Sequence, residues 1–386
     1  MEMRTWAEIN LDALEHNMRQ IKKITNPNSL IMAVVKADAY GHGVGECADV
    51  LLKSGADRLA VATLNEAIEL RRKYSDVPIL ILGSNMESEA DELVKNDITA
   101  NVYTYEMAKA LSDSAVRANK TVRVHIKLDT GMSRIGYPIS DGDSSDVIDE
   151  ILRISRLPMI EIEGIFSHFS TSDEACGDYT KLQFERFMSV CDRLSEHGLD
   201  IPIKHICNSA GIMMYPQYHL DMVRPGIILY GMYPSNEVDK TKLDLRYVMS
   251  LKSLITYVKD IEPGRGVSYG KEYIADGVAK IATVPIGYAD GYTRLLAKNA
   301  KIAVGDKLFP IAGRICMDQC MIDVSAVNNI KRGDEALIFG DGAVTVDDLA
   351  SWLGTINYEI PCMLSRRIPR VYIKGGKVVK DLDYLL

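Results

Sequence analysis

The segment Leu30-Ile31-Met32-Ala33-Val34-Val35-Lys36 decides the fold. Six apolar residues in a row read as a buried strand, and residues 44–53 behind them follow helical spacing. The pattern then repeats. Strand-like runs fall at residues 59–62, 79–82, 98–102, 122–128, 160–166, 203–206 and 220–223. Helical patterns lie between them at 64–74, 88–95, 105–118, 147–157 and 179–197, with a short one after Ser209. An earlier helix is expected over 11–24, with Asn10 as its N-cap. Eight strands with helices between them predict a parallel (β/α)8 barrel of the TIM type, and about 240 residues is its usual size. A doubly wound open sheet is the alternative that periodicity leaves standing.

The texture changes after Lys240. Residues 245–259, 279–285, 301–304, 309–324 and 335–339 read as strands, and one helix is expected over 346–353. Turns punctuate them at Pro263-Gly264, Gly305-Asp306, Arg332-Gly333-Asp334 and Asp341-Gly342. The expected architecture is α/β: a barrel over 1–240, followed by a β-rich domain over 241–386.

Composition narrows the function. The chain has 386 residues, is 47% hydrophobic and 25% charged, and carries a formal charge of −8. Such usage excludes global disorder. An acidic chain without a basic block is a poor partner for nucleic acid or anionic lipid. No run reaches the ~18 apolar residues of a membrane span. The opening Met1-Glu2-Met3-Arg4-Thr5-Trp6 lacks an apolar signal core. Seven scattered cysteines without a C-x-x-C pair read as a reducing cytoplasm, and Cys316 with Cys320 is too thin for a metal site. Tyrosine is over-used: 19, against 6 Phe and 2 Trp. Packing alone would not favour the ring that carries a hydroxyl.

The chemistry starts at Lys36. A lysine ends an apolar strand either because it snorkels to water or because its amine has work to do. The other strand ends tilt the balance. Lys127, Asp129 and Arg134 lie at or beyond strand five, His168 follows strand six, Asn208 and Ser209 follow strand seven, and Arg224 follows strand eight. Barrel enzymes place their chemistry on this rim. Each residue also has a plain structural reading, and Asn208-Ser209 could simply cap a helix. Ser209 and the Gly226-Ile227 backbone sit where barrels commonly hold phosphate without a Walker-type lysine. A rim lysine plus a phosphate site points to pyridoxal phosphate, whose aldehyde condenses with an amine.

At this point the chain resembles the alanine racemases, the barrel (fold type III) family of pyridoxal-phosphate enzymes. The likeness spans the chain. It rests on Ala33-Val34-Val35-Lys36-Ala37-Asp38-Ala39-Tyr40-Gly41-His42-Gly43 and on Leu128-Asp129-Thr130-Gly131-Met132-Ser133-Arg134-Ile135-Gly136. It continues through residues 222–231, Val267-Ser268-Tyr269-Gly270, Ile286-Gly287-Tyr288-Ala289-Asp290-Gly291, Gly313-Arg314-Ile315-Cys316-Met317-Asp318-Gln319 and Ile356-Asn357-Tyr358-Glu359.

The resemblance implies interconversion of L- and D-alanine, which supplies D-alanine for peptidoglycan. Lys36 would hold the cofactor and act as one base, with Tyr269 as the base on the opposite face. Tyr40, Ser209, Gly226, Ile227 and Tyr358 would hold the phosphate, with Asn208 beside them. Arg224 would face the pyridine nitrogen, and His168 would link it to Tyr269. Arg134, the Met317 N–H and nearby Asp318 would receive the substrate carboxylate. Tyr288 and Tyr358 would narrow the entrance, and Lys127 matches a lysine often carbamylated. No metal is implied. Because Tyr269 and Met317 come from the second subunit in such enzymes, the resemblance implies a homodimer with shared sites.

Three alternatives carry different signatures. A serine or broad-specificity racemase would share every motif. A barrel-fold decarboxylase places Glu-Pro-Gly-Arg after strand eight, where this chain has Arg224-Pro225-Gly226-Ile227; its Glu262-Pro263-Gly264-Arg265 falls in the β-rich part, where a surface turn is expected. A non-catalytic cofactor carrier would lack the β-rich part and Tyr269. Four further features are expected to be structural: His42 in a turn, the acids of 141–150 in a solvated loop and helix start, and Trp6 and Trp352 in packing.

Overall fold

The computed structural model describes residues 3–142 and 144–386, so one acid of the 141–150 stretch, Asp143, lies outside the described residues. The chain forms two compact units.

The first unit is the barrel. Its strands are Leu30–Val34, Arg58–Val61, Ile79–Ile81, Ala100–Val102, Val122–Asp129, Ile160–Phe166, Ile203–His205 and Met222–Val223. Each expected run overlaps one of them. Successive strands pair in parallel. The third and fourth strands meet through Leu80 and Thr99. The seventh and eighth meet through the Asp221 N–H to the Lys204 carbonyl, 3.1 Å, and the Arg224 N–H to the Cys207 carbonyl, 3.0 Å. The eighth then pairs with the first, Met222 opposite Leu30. That last pairing closes the ring and excludes the open sheet. The helices between strands run Val44–Lys53, Leu64–Lys73, Ala90–Lys95, Tyr105–Ala118, Ser145–Ile154, Asp178–Glu196 and Ser209–Met214. Thr63 and Thr104 cap two of them through their hydroxyls, as their position before an apolar-periodic run demands.

The second unit is β-rich. Its larger sheet has the order Lys307–Pro310, Lys301–Val304, Glu335–Phe339, Met249–Leu254, Thr5–Asn10, Arg370–Lys374, Lys377–Leu382. The strand Thr5–Asn10, which the sequence reading placed with the barrel, pairs antiparallel with Met249–Leu254 and parallel with Arg370–Lys374. A second sheet joins Tyr257–Ile261, Ala279–Val284 and Cys320–Asp323. Ile261, Val267, Ala275, Ala279, Ile281 and Ala312 form a core cluster beside it.

Two long runs divide. Residues 245–259 give two strands in two different sheets, broken at Ile255-Thr256. Residues 309–324 give strand only at their ends. Pro310 has no N–H for a ladder, and Gly313 takes φ +79°, so the chain leaves the sheet between them. Glu262–Arg265 is a turn, with the Arg265 N–H on the Glu262 carbonyl at 3.2 Å. Among the described residues no helix is long and apolar enough to cross a membrane.

Candidate active site

The barrel unit gathers a cationic rim. Lys36 follows the first strand and opens an unusual turn: Ala37, Asp38, Ala39 and Tyr40 all have φ between +52° and +54°. Left-handed backbone costs an L-residue roughly 1–2 kcal/mol, so neighbouring groups must hold it. Glu66 accepts the Ala37 N–H at 2.7 Å and the Ala62 N–H at 2.8 Å, and Asp38 accepts the Val44 N–H at 2.7 Å. Glu66 was not singled out in the sequence. Its only signal is its place as third residue of a capped helix, where its carboxylate also meets the Thr63 N–H.

Arg224 is buried at the end of strand eight. It donates through Nη1 to His205 Nδ1 at 2.8 Å, and through Nη2 to His168 Nδ1 at 3.2 Å, the Ser167 carbonyl at 2.8 Å and the Ile206 carbonyl at 3.1 Å. Every one of these acceptors is neutral. Burial lowers its pKa to about 10, which leaves it charged at neutral pH. His168 is pushed well below the usual histidine range, first by burial, then by Arg224, Arg134, Lys127 and Lys36. Burial, with Arg224 beside it, brings Lys127 down to about 7, and its Nζ donates to the Leu128 carbonyl.

The Gly226 N–H donates to Ser209 Oγ at 2.9 Å, which brings the segments after strands seven and eight together. Ile227 lies beside it, fully buried. Asn208 is a cap, as the plain reading allowed: its Oδ1 takes the Gly211 N–H at 2.9 Å and the Ser172 hydroxyl at 2.8 Å. It positions Ser209. Arg134 is exposed, on a loop whose Gly131, Met132 and Ser133 N–H groups all point at Asp129 Oδ1 within 3.0 Å.

The β-rich unit holds the rest. Tyr269 is 69% exposed, flanked by Ser268 at φ +63° and Gly270 at φ +74°. Ser268 Oγ donates to the Arg314 carbonyl at 2.6 Å, and a Cβ on Gly313 would come within 2.5 Å of the Val267 carbonyl. The Tyr269 turn and the residue 313–319 loop are thus one assembly. Tyr288 and Met317 are exposed side by side, through Tyr288 N–H to the Cys316 carbonyl at 3.1 Å and Ala289 N–H to the Met317 carbonyl at 3.0 Å. A Cβ on Gly287 would overlap both of those carbonyls at 2.3 Å. Asp318 is held by Arg367 at 2.8 Å. Tyr40 is buried 6.4 Å from the Tyr358 ring, and burial raises its phenol pKa. His42 Nδ1 lies 2.9 Å from the Tyr40 carbonyl, a turn contact.

Two family models match the chain: the alanine racemase N-terminal domain over residues 9–234 and the C-terminal domain over 248–372. The chain belongs to the alanine racemase family. It is 52% identical over 384 residues to the alanine racemase of Clostridium tetani, covering 98% of each chain. It superposes on the Clostridium difficile 630 alanine racemase with a TM-score of 0.96 at 46% identity, covering all of both chains. A complex of that racemase with cycloserine matches at 0.94 and 44%, again over 100% of each. The fold, a TIM-type barrel followed by a β-rich part, and the activity, alanine racemisation by an isomerase, stand on these matches and on the closed ring of strands.

The donors fit a pyridoxal phosphate. A buried guanidinium whose partners are all neutral acceptors suits an unprotonated pyridine nitrogen. A hydroxyl and backbone N–H groups at Ser209, Gly226 and Ile227 suit a phosphate. Among the described residues no group of three or more His, Cys, Asp or Glu could hold a metal ion.

Proposed function

We propose that the chain interconverts L- and D-alanine in the cytoplasm with pyridoxal phosphate, as a homodimer with shared sites, and supplies D-alanine for peptidoglycan. The observation that carries the cofactor reading is Arg224, a buried cation at the strand-eight end with no carboxylate among its hydrogen-bond partners.

When bound, the cofactor supplies an electron sink that acidifies the amino acid's Cα–H. Lys36 would hold it through its amine and take or return the proton on one face. Tyr269 would serve the other face. Two fixed bases remove the need for one group to swing across the ring. His168 accepts from Arg224 through Nδ1, so its remaining proton sits on Nε2 and can be donated onward. That N–H would favour the Tyr269 phenolate. Arg224 adds no proton to the pyridine nitrogen, as a carboxylate partner would favour, and so restrains side reactions. Arg134 and the Met317 N–H would bind the substrate carboxylate, with Asp318 beside them. Tyr40, Ser209, Gly226, Ile227 and Tyr358 would grip the phosphate, and Tyr288 would narrow the entrance. The neutral amine favoured at Lys127 is the form that takes up carbon dioxide, and the resulting anion would steady Arg134.

The test is direct. L-alanine mixed with the holoenzyme should yield D-alanine, at a rate above those for serine, lysine and arginine measured side by side. Serine turned over faster than alanine would assign a serine racemase. An amine product would assign a decarboxylase, and bound cofactor without turnover would assign a carrier.

A further inference from the structure

Beneath Arg224 the barrel core holds a line of polar side chains that the reaction as described does not use. Arg58 Nη1 donates to Glu163 Oε2 at 2.8 Å. The same oxygen is 3.0 Å from His125 Nε2. His125 Nδ1 is 2.8 Å from His205 Nε2, and His205 Nδ1 is 2.8 Å from Arg224 Nη1. Both imidazoles are fully buried, and Glu163 nearly so.

The two ends fix the direction of the whole line. A guanidinium only donates, so His205 Nδ1 must be bare. His205 then carries its proton on Nε2 and donates to His125 Nδ1, which must also be bare. His125 therefore carries its proton on Nε2 and donates to Glu163. A carboxylate only accepts, so the chain ends there, closed by Arg58. Reversing any link puts two protons, or two lone pairs, into one gap.

We propose that Glu163, His125 and Arg58 are positioning residues for the racemase reaction: they lock the tautomer of His205 and thereby fix the orientation of the Arg224 guanidinium. The effect on turnover rests on the reading of Arg224 given above; the direction of the relay does not.

The backbone is bent to build this line. The pairing of strands five and six slips between Val124/Ile162 and His125/Gly164, which leaves Glu163 as the extra residue of a bulge. A Cβ on Gly164 would lie 2.6 Å from the His125 ring, so only glycine admits that imidazole. Phe166 stacks on His205 at 4.8 Å with its plane 3° away. The charged and titratable groups facing the two imidazoles are Glu163 from strand six, Arg58 from strand two, Lys127 from strand five and Arg224 after strand eight, and Arg224 is in turn faced by His168, Arg134 and Cys207. Burial keeps His125 and His205 below the usual histidine range, which agrees with two neutral rings. Burial works against ionised Glu163, yet the hydrogen bonds from His125 and Arg58 prevail and hold it at about 2.

The experiment is nitrogen NMR of holoenzyme labelled at its seven histidines, with kinetics alongside. In the unsubstituted enzyme both relay rings should be neutral with the proton on Nε2. His205 carrying its proton on Nδ1, or a charged His125 or His205, overturns the proposal. Glu163→Gln can donate as well as accept, so it no longer forbids the reverse direction. With only the Arg224 end still opposing it, His205 should then sample the reversed tautomer whenever Arg224 Nη1 swings off its Nδ1, and kcat should fall about tenfold, the scale of one hydrogen bond, while KM for alanine holds. Unchanged His205 signals with unchanged kcat overturn it too. Gly164→Ala, which displaces the His125 ring and keeps every polar group, should give the same pair of changes if Glu163→Gln fails to fold. Correct tautomers in an enzyme that forms no D-alanine would sink the assigned reaction and leave the relay standing.

Discussion

The barrel mouth and the Tyr269 loops solve opposite problems. At the mouth, basic groups are taken out of water and held by neutral acceptors: Arg224 is 3% exposed and Lys127 4%. In the β-rich unit, Tyr269, Met317 and Tyr288 are exposed at 69%, 52% and 41% on backbone that left-handed residues and glycines force into shape. The first arrangement tunes charge by desolvation. The second spends conformational strain to display aromatic and apolar groups with their positions fixed. A buried cation gains strength from a dry setting, and a displayed side chain gains from rigidity.

The sharpest way to break this comparison is Lys36→Ala. It should remove both the cofactor's attachment and one base, and cut D-alanine formation by at least ~10³-fold, with loss of the bound cofactor's absorbance. Tyr269→Phe comes next. It keeps the displayed ring and removes the proposed proton carrier, so activity should drop by roughly 10²–10⁴-fold. Solvent exchange at Cα should collapse on one face far more than on the other. Equal retention of exchange on both faces would remove the two-base assignment.

The desolvated cations are tested by pH. Lys127 has its folded pKa lowered to about 7 from 10.5. The unfolded chain therefore binds more protons between those values, and stability should rise with pH across that window. In carbon-dioxide-free buffer, Lys127→Met should flatten that rise by an amount on the order of a few kcal/mol. Excess carbonate should flatten it in the unsubstituted protein, with a mass gain of one carbon dioxide. Glu163 gives the acid-side counterpart. Its folded pKa of about 2 lies below 4.5, so its contribution is present above 4.5 and lost as pH falls toward 2.

The smallest effect concerns tyrosines away from either site. Tyr137 donates to Glu150 at 2.6 Å, and Tyr137→Phe should cost about 1 kcal/mol in urea unfolding with racemisation unchanged. Tyr74 with Asp49, Tyr247 with Asp347 and Tyr273 with Asp323 make the same contact. Four of the 19 tyrosines thus have a structural use, a phenol reaching a carboxylate.

The barrel was legible because each strand is a short apolar run and each helix keeps its period. The β-rich unit was less so. Pro310 and Gly313 interrupt one run, another passes between two sheets at Ile255-Thr256, and the unit's first strand lies at the far end of the chain. The positions of Lys36, His168 and Arg224 were legible because they follow apolar strands, and that of Ser209 because it opens the helix after strand seven. His125 and His205 carried a signal, a polar residue inside a strand on the same face as Lys127 and Cys207, but nothing in the line of residues says that they touch.

By itself, then, the sequence determined the alternation of elements and the identity of the groups on the rim, since local propensity and side-chain type are written residue by residue. Tertiary structure alone decided which donors meet which acceptors. The bulge at Glu163, the space above Gly164 and the pairing of Thr5–Asn10 with Met249–Leu254 depend on residues tens to hundreds of positions apart. Hydrogen bonding is directional and short-ranged, so the order of a buried relay exists only once the strands are side by side.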